Sequence, residues 1–441
     1  MFPQQTTVLI VGAGPSGMAA ALSLHHQGIR DLVVVDAILA GQNFSRAMVI
    51  QAATLEALNS VDCLDGILSA GVKVEAVGLR DTSSDILSAD FSLLAGHTKF
   101  PFAVILPQVK TEAKMLEKME EEGIKVWRPY KVVSMKPSLR AEEEDLFEVQ
   151  FESGEFIKAK YVIGADGAHS VVREQAGISF NDPDGDEKHD YGNLSQMAIA
   201  DVAFTSEPQI FTSERKVSQT LSSGNMVLVS PFPPTASPDP TRTVYRLVSS
   251  VPVDLGTAPH EPSIEYMQRL VDRNGPAQLS SDPARNPNPV RIEKMYWSTR
   301  YRTRSAVAES YFAPRKPGVS GGFVLLVGDA AHIHSPMGGQ GLSLGIRDGI
   351  SLGPVLKAHI DRRADGSDAA ADNLFEEWAT VRHKRAVSVV AMTKKAMGVF
   401  VAQGKMWPPM LRFVFAVMRF LGGFKFMKRN VAYKLSGLGE I

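Results

Sequence analysis

A single cysteine, Cys63, stands among 441 residues. One thiol excludes an intramolecular disulfide framework and makes a reducing, cytoplasmic compartment the expectation. Flanked by Val61 and Leu64, it reads as a small buried hydrophobe and not as a redox group. Charge of one sign is also lacking. The chain carries 47 Lys and Arg against 48 Asp and Glu, so no long-range field of one sign draws in nucleic acid or an acidic membrane. The C-terminal stretch lacks an uncharged run of about 18 residues, the length a spanning helix needs. There the apolar residues from Met406 to Phe426 are interrupted by Pro408, Pro409, Arg412, Arg419 and Lys425. Nor does a basic segment precede the first apolar stretch, Val8 to Val11, which runs straight into glycines and so reads as a strand of the fold and not as a secretory leader. There is no internal repeat and no low-complexity tract.

What is present is a globular composition, 44% hydrophobic and 22% charged, in a chain too long for one core. Val8–Val11, a glycine turn, a small-residue helix from Pro15 to about Gln27, Gly28 and a second run Leu32–Val35 spell a parallel βαβ unit buried on both faces. A helix is expected from Thr111 to Glu122, with Met115, Leu116 and Met119 on one face, and strands at Phe147–Phe151 and Phe156–Ile163. From about Asp182 to Pro289 the character changes to strands, Met197–Phe204, Met226–Ser230 and Val244–Val251, alternating with proline-rich loops. Phe323–Val327 then restores the parallel-strand pattern. The fold class expected is α/β: a Rossmann-like domain with an inserted β-sheet domain and a helical C-terminal tail.

Three blocks carry chemistry. The first, Gly12-Ala13-Gly14-Pro15-Ser16-Gly17, follows a strand and opens a helix. Gly12 suits the tight turn, Gly14 lets a pyrophosphate approach the backbone, and Gly17 lets helix and sheet lie close. The helix N-terminus offers free N–H groups to phosphate, and Asp36 stands where a carboxylate would accept from a ribose hydroxyl. The second block, Tyr161 to Arg173, is a strand ending in Asp166-Gly167 with Ser170 placed to cap a short helix that carries Arg173. The third runs from Leu325 to Ser343. Its Asp329 could accept from ribityl hydroxyls, and its glycines Gly328, Gly338, Gly339 and Gly341 bring backbone close to something flat or charged. His332 and His334 have no third ligand nearby, so no metal is expected.

In this order and spacing, the three blocks resemble those of the group A FAD-dependent monooxygenases, the para-hydroxybenzoate and phenol hydroxylase family, from Val8 to about Arg385. The resemblance implies FAD as cofactor and NAD(P)H as co-substrate. It also implies an aromatic small molecule, phenolic or polyketide-like, hydroxylated with O2 through a C4a-hydroperoxyflavin. By resemblance Arg46 reaches the cofactor, Gln108 contacts it, and Asp166 and Arg173 serve both FAD and transient NAD(P)H binding. Pro336, Gly339, Gly341, Leu342 and Ser343 lie beside the ring. Departures stand at Ser343, where relatives often carry asparagine, and at Gly353-Pro354, where they often carry an aromatic.

The expected division is residues 1–75, 105–181 and 296–395 for the FAD-binding domain, 76–104 and 182–295 for the substrate domain, and 396–441 for the tail. The tail is expected to pack on the enzyme body or a second subunit, in a monomer or homodimer, with peripheral lipid contact through Arg412, Arg419, Lys425, Lys428 and Arg429 as the alternative. Catalytic side chains stay open among Tyr191, Tyr245, Arg246 and Tyr301. An epoxidase, a Baeyer-Villiger-type oxygenase and a flavin-binding regulator without turnover are the competing functions.

Overall fold

The first aliphatic run is a central strand. In the computed structural model, Gln5–Val11 lies between Leu32–Val35 and Phe156–Gly164, parallel to both, and Phe323–Leu326 runs parallel to the latter. The structure describes residues 1–39, 47–138, 145–185, 191–211, 215–313, 322–366 and 368–440. Val8, Leu9 and Ile10 are consecutive and fully buried, which a strand allows only when both sheet faces are covered. Val11 pairs with both Val35 and Gly164, and Gly164 with Leu326, so four strands end at one edge of the sheet.

Two helices pack on this edge with small residues between them. Pro15–His26 presents Ser16, Ala19, Ala20 and Ser23 to Gly345, Gly349 and Gly353 of Gly341–Ala364. A Cβ on Gly349 would sit 2.5 Å from the Ser16 carbonyl oxygen, and one on Gly353 would sit 2.2 Å from Ser23 Oγ. Here lies the reason for the Gly353-Pro354 departure. Pro354 has no N–H for the carbonyl of Ile350, and Ser23 Oγ donates to that carbonyl instead, at 2.6 Å. An aromatic side chain at 353 would displace the neighbouring helix.

The second sheet has seven strands in the order Ile292–Arg302, Gln196–Phe204, Tyr245–Ser250, Asn225–Pro231, Arg215–Ser222, Ala76–Arg80, Asp85–Asp90. Segments either side of residues 105–181 thus share one sheet. The strand Ile292–Arg302 runs through the expected border at 295/296 and stays paired as far as Arg302, opposite Gln196. The helix Ile264–Asn274 covers this sheet with Met267, Leu270 and Val271. Cys63 is buried, and burial pushes its thiol pKa up to about 12.

Three helices close the chain: Asp368–Gly404, Pro408–Gly422 and Lys425–Leu435. Ala370–Gly404 has the length and composition of a membrane span. Its Phe375, Val389 and Val390 are buried in the main core, however, and its Arg382 donates to the fully buried Asp348. These contacts make it a core helix.

Candidate cofactor-binding and active site

The four parallel strands deliver Asp36, Gly12, Asp166 and Asp329 side by side. Gly12 has φ +105°, and a Cβ there would lie 2.2 Å from the carbonyl oxygen of Ala165; one on Gly17 would lie 1.9 Å from that of Gly12. Glycine at these two positions lets the first block rest directly on the second. Gly14, by contrast, has no atom within 4 Å of where a Cβ would be. The helix beginning at Pro15 carries no side-chain cap, so its first N–H groups are left for a ligand. Asp36 accepts from Ala13 N at 2.7 Å and Ile38 N at 2.9 Å, which fixes its carboxylate beside the turn. Arg128 stands 3.9 Å from it.

In the second block, Asp166 accepts from Ser170 Oγ at 2.5 Å and Val171 N at 2.8 Å, while Ser170 Oγ accepts from Arg173 N. Ser170 therefore caps the short helix Val171–Gln175, and Asp166 accepts from its first N–H groups. Burial raises the pKa of Asp166 from the ordinary aspartate value, against the hydrogen bonds that lower it. Arg173 is buried. It donates to Ala330 O at 2.8 Å and Ala168 O at 3.1 Å and lies over the Phe180 ring, so it ties the second block to the third. Asp329 is exposed at this junction. Gly328 beside it has φ +62°, and a Cβ there would meet Ser16 Oγ at 2.2 Å; Ser16 locks the first block to the third.

The third block continues through His332–Ile333 into a turn where Pro336 is half-buried and Gly338 and Gly339 are exposed, then into the helix at Gly341, which has no side-chain cap. Ser343 is fully buried. Its hydroxyl accepts from Gln51 N at 3.4 Å and its carbonyl from Thr54 Oγ1 at 3.2 Å, so it anchors the helix Ala52–Asn59. Gln51 also donates through Nε2 to Gly338 O at 3.0 Å. Gln108 opens the helix Gln108–Glu121, three residues ahead of the expected start, because Pro107 accepts from Thr111 N as its cap. Its side chain donates to Glu112, and its N–H to Ala47 O at 3.0 Å. Arg46 lies outside the described residues.

Asp348, at 100° per residue on the same helix as Ser343, organises the block from below. It accepts from Gly328 N at 3.2 Å, from His332 Nε2 at 2.6 Å and from Arg382 Nε at 2.6 Å. A carboxylate can only accept, so Nε2 of His332 carries the proton. Burial opposes ionisation of Asp348, but the charges of Arg382 and His332 outweigh it and hold its pKa down at about 2. The sequence reading missed Asp348, Arg382 and Gln51 as site residues. His334 donates through Nδ1 to Ser335 O at 2.7 Å, and burial lowers its pKa to about 4.

Of the four open catalytic candidates, two are committed elsewhere. Arg246 forms a buried two-point pair with Asp201 at 2.7 and 2.8 Å, and Tyr245 donates to Glu207 and stacks on Phe211, in a separate core. Tyr301 donates to His334 O at 3.2 Å and so joins the second sheet to the third block. With Tyr191 it borders an apolar cluster that contains Met337, Leu194, Met197, Met226, Met397 and Phe400.

These residues suit a long cofactor with phosphates at one end and a flat polar ring at the other. Gly14 is open where Gly12 and Gly17 are closed, two uncapped helix N-termini face the same edge, and Gln51 Oε1, Gln340 Oε1 and His334 Nε2 are buried without hydrogen-bond partners. Among the described residues no cluster of His, Cys, Asp and Glu could hold a metal. A family described as FAD binding domain matches residues 5–393. Dialkyldecalin synthase of Streptomyces rugosporus is 28% identical over 395 residues, 88% of this chain and 72% of that one. Pentachlorophenol 4-monooxygenase of Sphingobium chlorophenolicum is 26% identical over 394 residues, 89% of this chain and 65% of that one. The p-nitrophenol 4-monooxygenase PnpA of Pseudomonas putida DLL-E4 superposes with a TM-score of 0.75 across 99% of both chains at 21% identity, so the two share their whole fold. The chain belongs to the FAD-binding domain family, and FAD is its cofactor.

Proposed function

We propose that this protein is an FAD-dependent monooxygenase that uses NAD(P)H and O2 to hydroxylate an aromatic, phenolic or polyketide-like molecule. The observation that carries the reading is the convergence of Gly12, Asp166 and Asp329 at one sheet edge, with the Pro336–Gly339 turn between that edge and an apolar cluster from the second sheet. In this reading the N–H groups of Gly14, Ser16 and Gly17 hold the pyrophosphate, and Asp36 accepts from a ribose hydroxyl. Asp329 accepts from the ribityl chain, and the N–H groups of Gly341, Leu342 and Ser343 donate to the ring. FAD, when bound, supplies the electron transfer and oxygen activation that no side chain can provide.

The chain's own part is to seat the substrate and exclude water. Met337, Met397 and Phe400 give an apolar, adaptable wall for an aromatic ring. Tyr301 fixes the turn through His334 O, and Asp348 fixes Gly328 and His332, so the cofactor-facing backbone is held without a side chain entering the site. Arg173 serves the same end by joining the second block to the third, and Asp166 by holding the start of the helix that carries Arg173.

NAD(P)H consumption by the FAD-loaded protein, followed across a panel of phenols with mass analysis of products, tests this reading. The expected result is an aromatic that accelerates flavin reduction and gains one oxygen atom. Acceleration by none of them, or a product isomeric with its substrate, overturns it; the second outcome assigns the site to ring formation, the activity that the name of the Streptomyces rugosporus relative implies for that protein.

A further inference from the structure

The helix Pro408–Gly422 is apolar on two opposite sides. Leu411, Phe415 and Gly422 face the enzyme, where a Cβ on Gly422 would meet the Ile86 carbonyl at 2.8 Å. Arg419 fastens the helix to the second sheet by donating to Asp81, to Ser84 Oγ at 2.7 Å and to Asp85 O at 3.1 Å. The opposite row, Met410, Phe413, Val417 and Phe420 at spacings of three and four, points outward. Phe413 is 65% exposed and Phe420 is 70% exposed. Trp407 before the helix and Phe426 after it extend the patch, 73% and 60% exposed.

A row of large apolar side chains this exposed marks an interaction surface, and its charge says which kind. From residue 405 to residue 439 the sequence holds seven Lys or Arg and no Asp or Glu, in a chain whose net charge is −1. Lys405, Arg412, Lys425 and Arg429 are all exposed along it. A second copy related by a twofold axis would set this patch against itself, basic on basic, and the segment offers no carboxylate to neutralise the pair. An aromatic row rimmed by lysines and arginines instead matches the boundary between lipid headgroups and acyl chains.

We propose that the C-terminal helices dock this protein on an anionic lipid surface, with Trp407, Phe413 and Phe420 entering the headgroup boundary and the rim of Lys and Arg meeting the headgroups. The helix lies along the surface and does not cross it. Its inner row, Leu411 and Phe415, shares a cluster with Met337 of the flavin-side turn, so the docked face is the outer side of the layer that roofs that cluster.

Cosedimentation of the full FAD-loaded chain with phosphatidylcholine vesicles, with and without phosphatidylserine, tests the proposal. Binding is expected to vesicles containing phosphatidylserine, to weaken about fivefold for each of Arg412→Gln and Lys425→Gln, and to fall with salt. Phe413→Ser with Phe420→Ser is expected to weaken it roughly tenfold or more. Tryptophan quenching by brominated lipid in the unaltered chain gives a readout that needs no folded variant, and Trp407→Phe should abolish it. Equal failure to bind both vesicle types overturns the proposal. So does a dimer, seen by light scattering, that Phe413→Ser converts to monomer.

Discussion

The cofactor edge and the apolar cluster behind it are built by opposite means. At the edge, backbone touches backbone: Gly12 against the Ala165 carbonyl, Gly17 against the Gly12 carbonyl, Gly349 against the Ser16 carbonyl. In the cluster, methionines and phenylalanines from five parts of the chain fill space with flexible side chains. The first construction accepts one residue type at each contact. The second accepts many of similar volume, so it can change its occupant without losing the fold.

The sharpest way to break that contrast is at its polar anchor. Asp348→Asn leaves Arg382 buried without its counterion and weakens the hold on Gly328 and His332. A loss of about 3–5 kcal/mol is expected in urea unfolding, with loss of bound flavin in the absorbance spectrum. The same anchor should resist acid. Because the folded pKa of Asp348 is depressed, its contribution is present above the ordinary value of 3.8 and is lost only as pH falls through about 2.

His334 loses its contribution in the same direction but at higher pH. Its folded pKa lies near 4, below the ordinary 6.5, so the unfolded chain binds a proton in that interval and the native state does not. Stability should therefore drop by roughly 3 kcal/mol as pH falls from 6.5 to 4, with no further loss from this group below that. His334→Gln should flatten the drop in unfolding free energy across the interval; an unchanged slope would assign it to other groups.

Gly349→Ala sharpens the comparison by a single methyl group. Its Cβ would lie 2.5 Å from one backbone atom and 2.7 Å from another, so the two helices must part. About 2–3 kcal/mol of destabilisation is expected in the same unfolding measurement, together with weaker FAD binding by titration. Met397→Leu makes a change of similar size in the cluster. It should cost less than about 1.5 kcal/mol, and its effect should show in which aromatic substrate stimulates NAD(P)H oxidation.

The same contrast sets how much of the molecule the sequence revealed. The cradle was legible because a turn with φ +105° and a helix lying on a carbonyl each require glycine, and those glycines come in fixed order with Asp36, Asp166 and Asp329. Of the second sheet, the strands Gln196–Phe204, Asn225–Pro231 and Tyr245–Ser250 were legible from their apolar runs; Ala76–Arg80 and Asp85–Asp90 were not, and nothing in the residues of Ile292–Arg302 marks where the chain leaves one sheet for the other. Asp348, Arg382 and Gln51 were not legible. Their roles depend on partners 16, 34 and 287 residues away, and no local pattern reports such a meeting. The substrate wall was least legible, since Met337 and Met397 are ordinary core residues until the fold brings them together.

The hydrogen bond from Ser23 to the carbonyl of Ile350 spans 327 residues, and it closes a contact on which the cofactor edge depends. During synthesis the first βαβ unit leaves the ribosome long before its partner helix exists. The strands from Gln196 to Arg302 can meanwhile pair with their neighbours. Until residue 353 has emerged, the small-residue face of the first helix has nothing to lie against, and its apolar backbone-close surface is open to wrong partners. Flavin added during translation should therefore protect the nascent chain from proteolysis only late, after the Gly345–Gly353 face has been made, and the insertion should become resistant first.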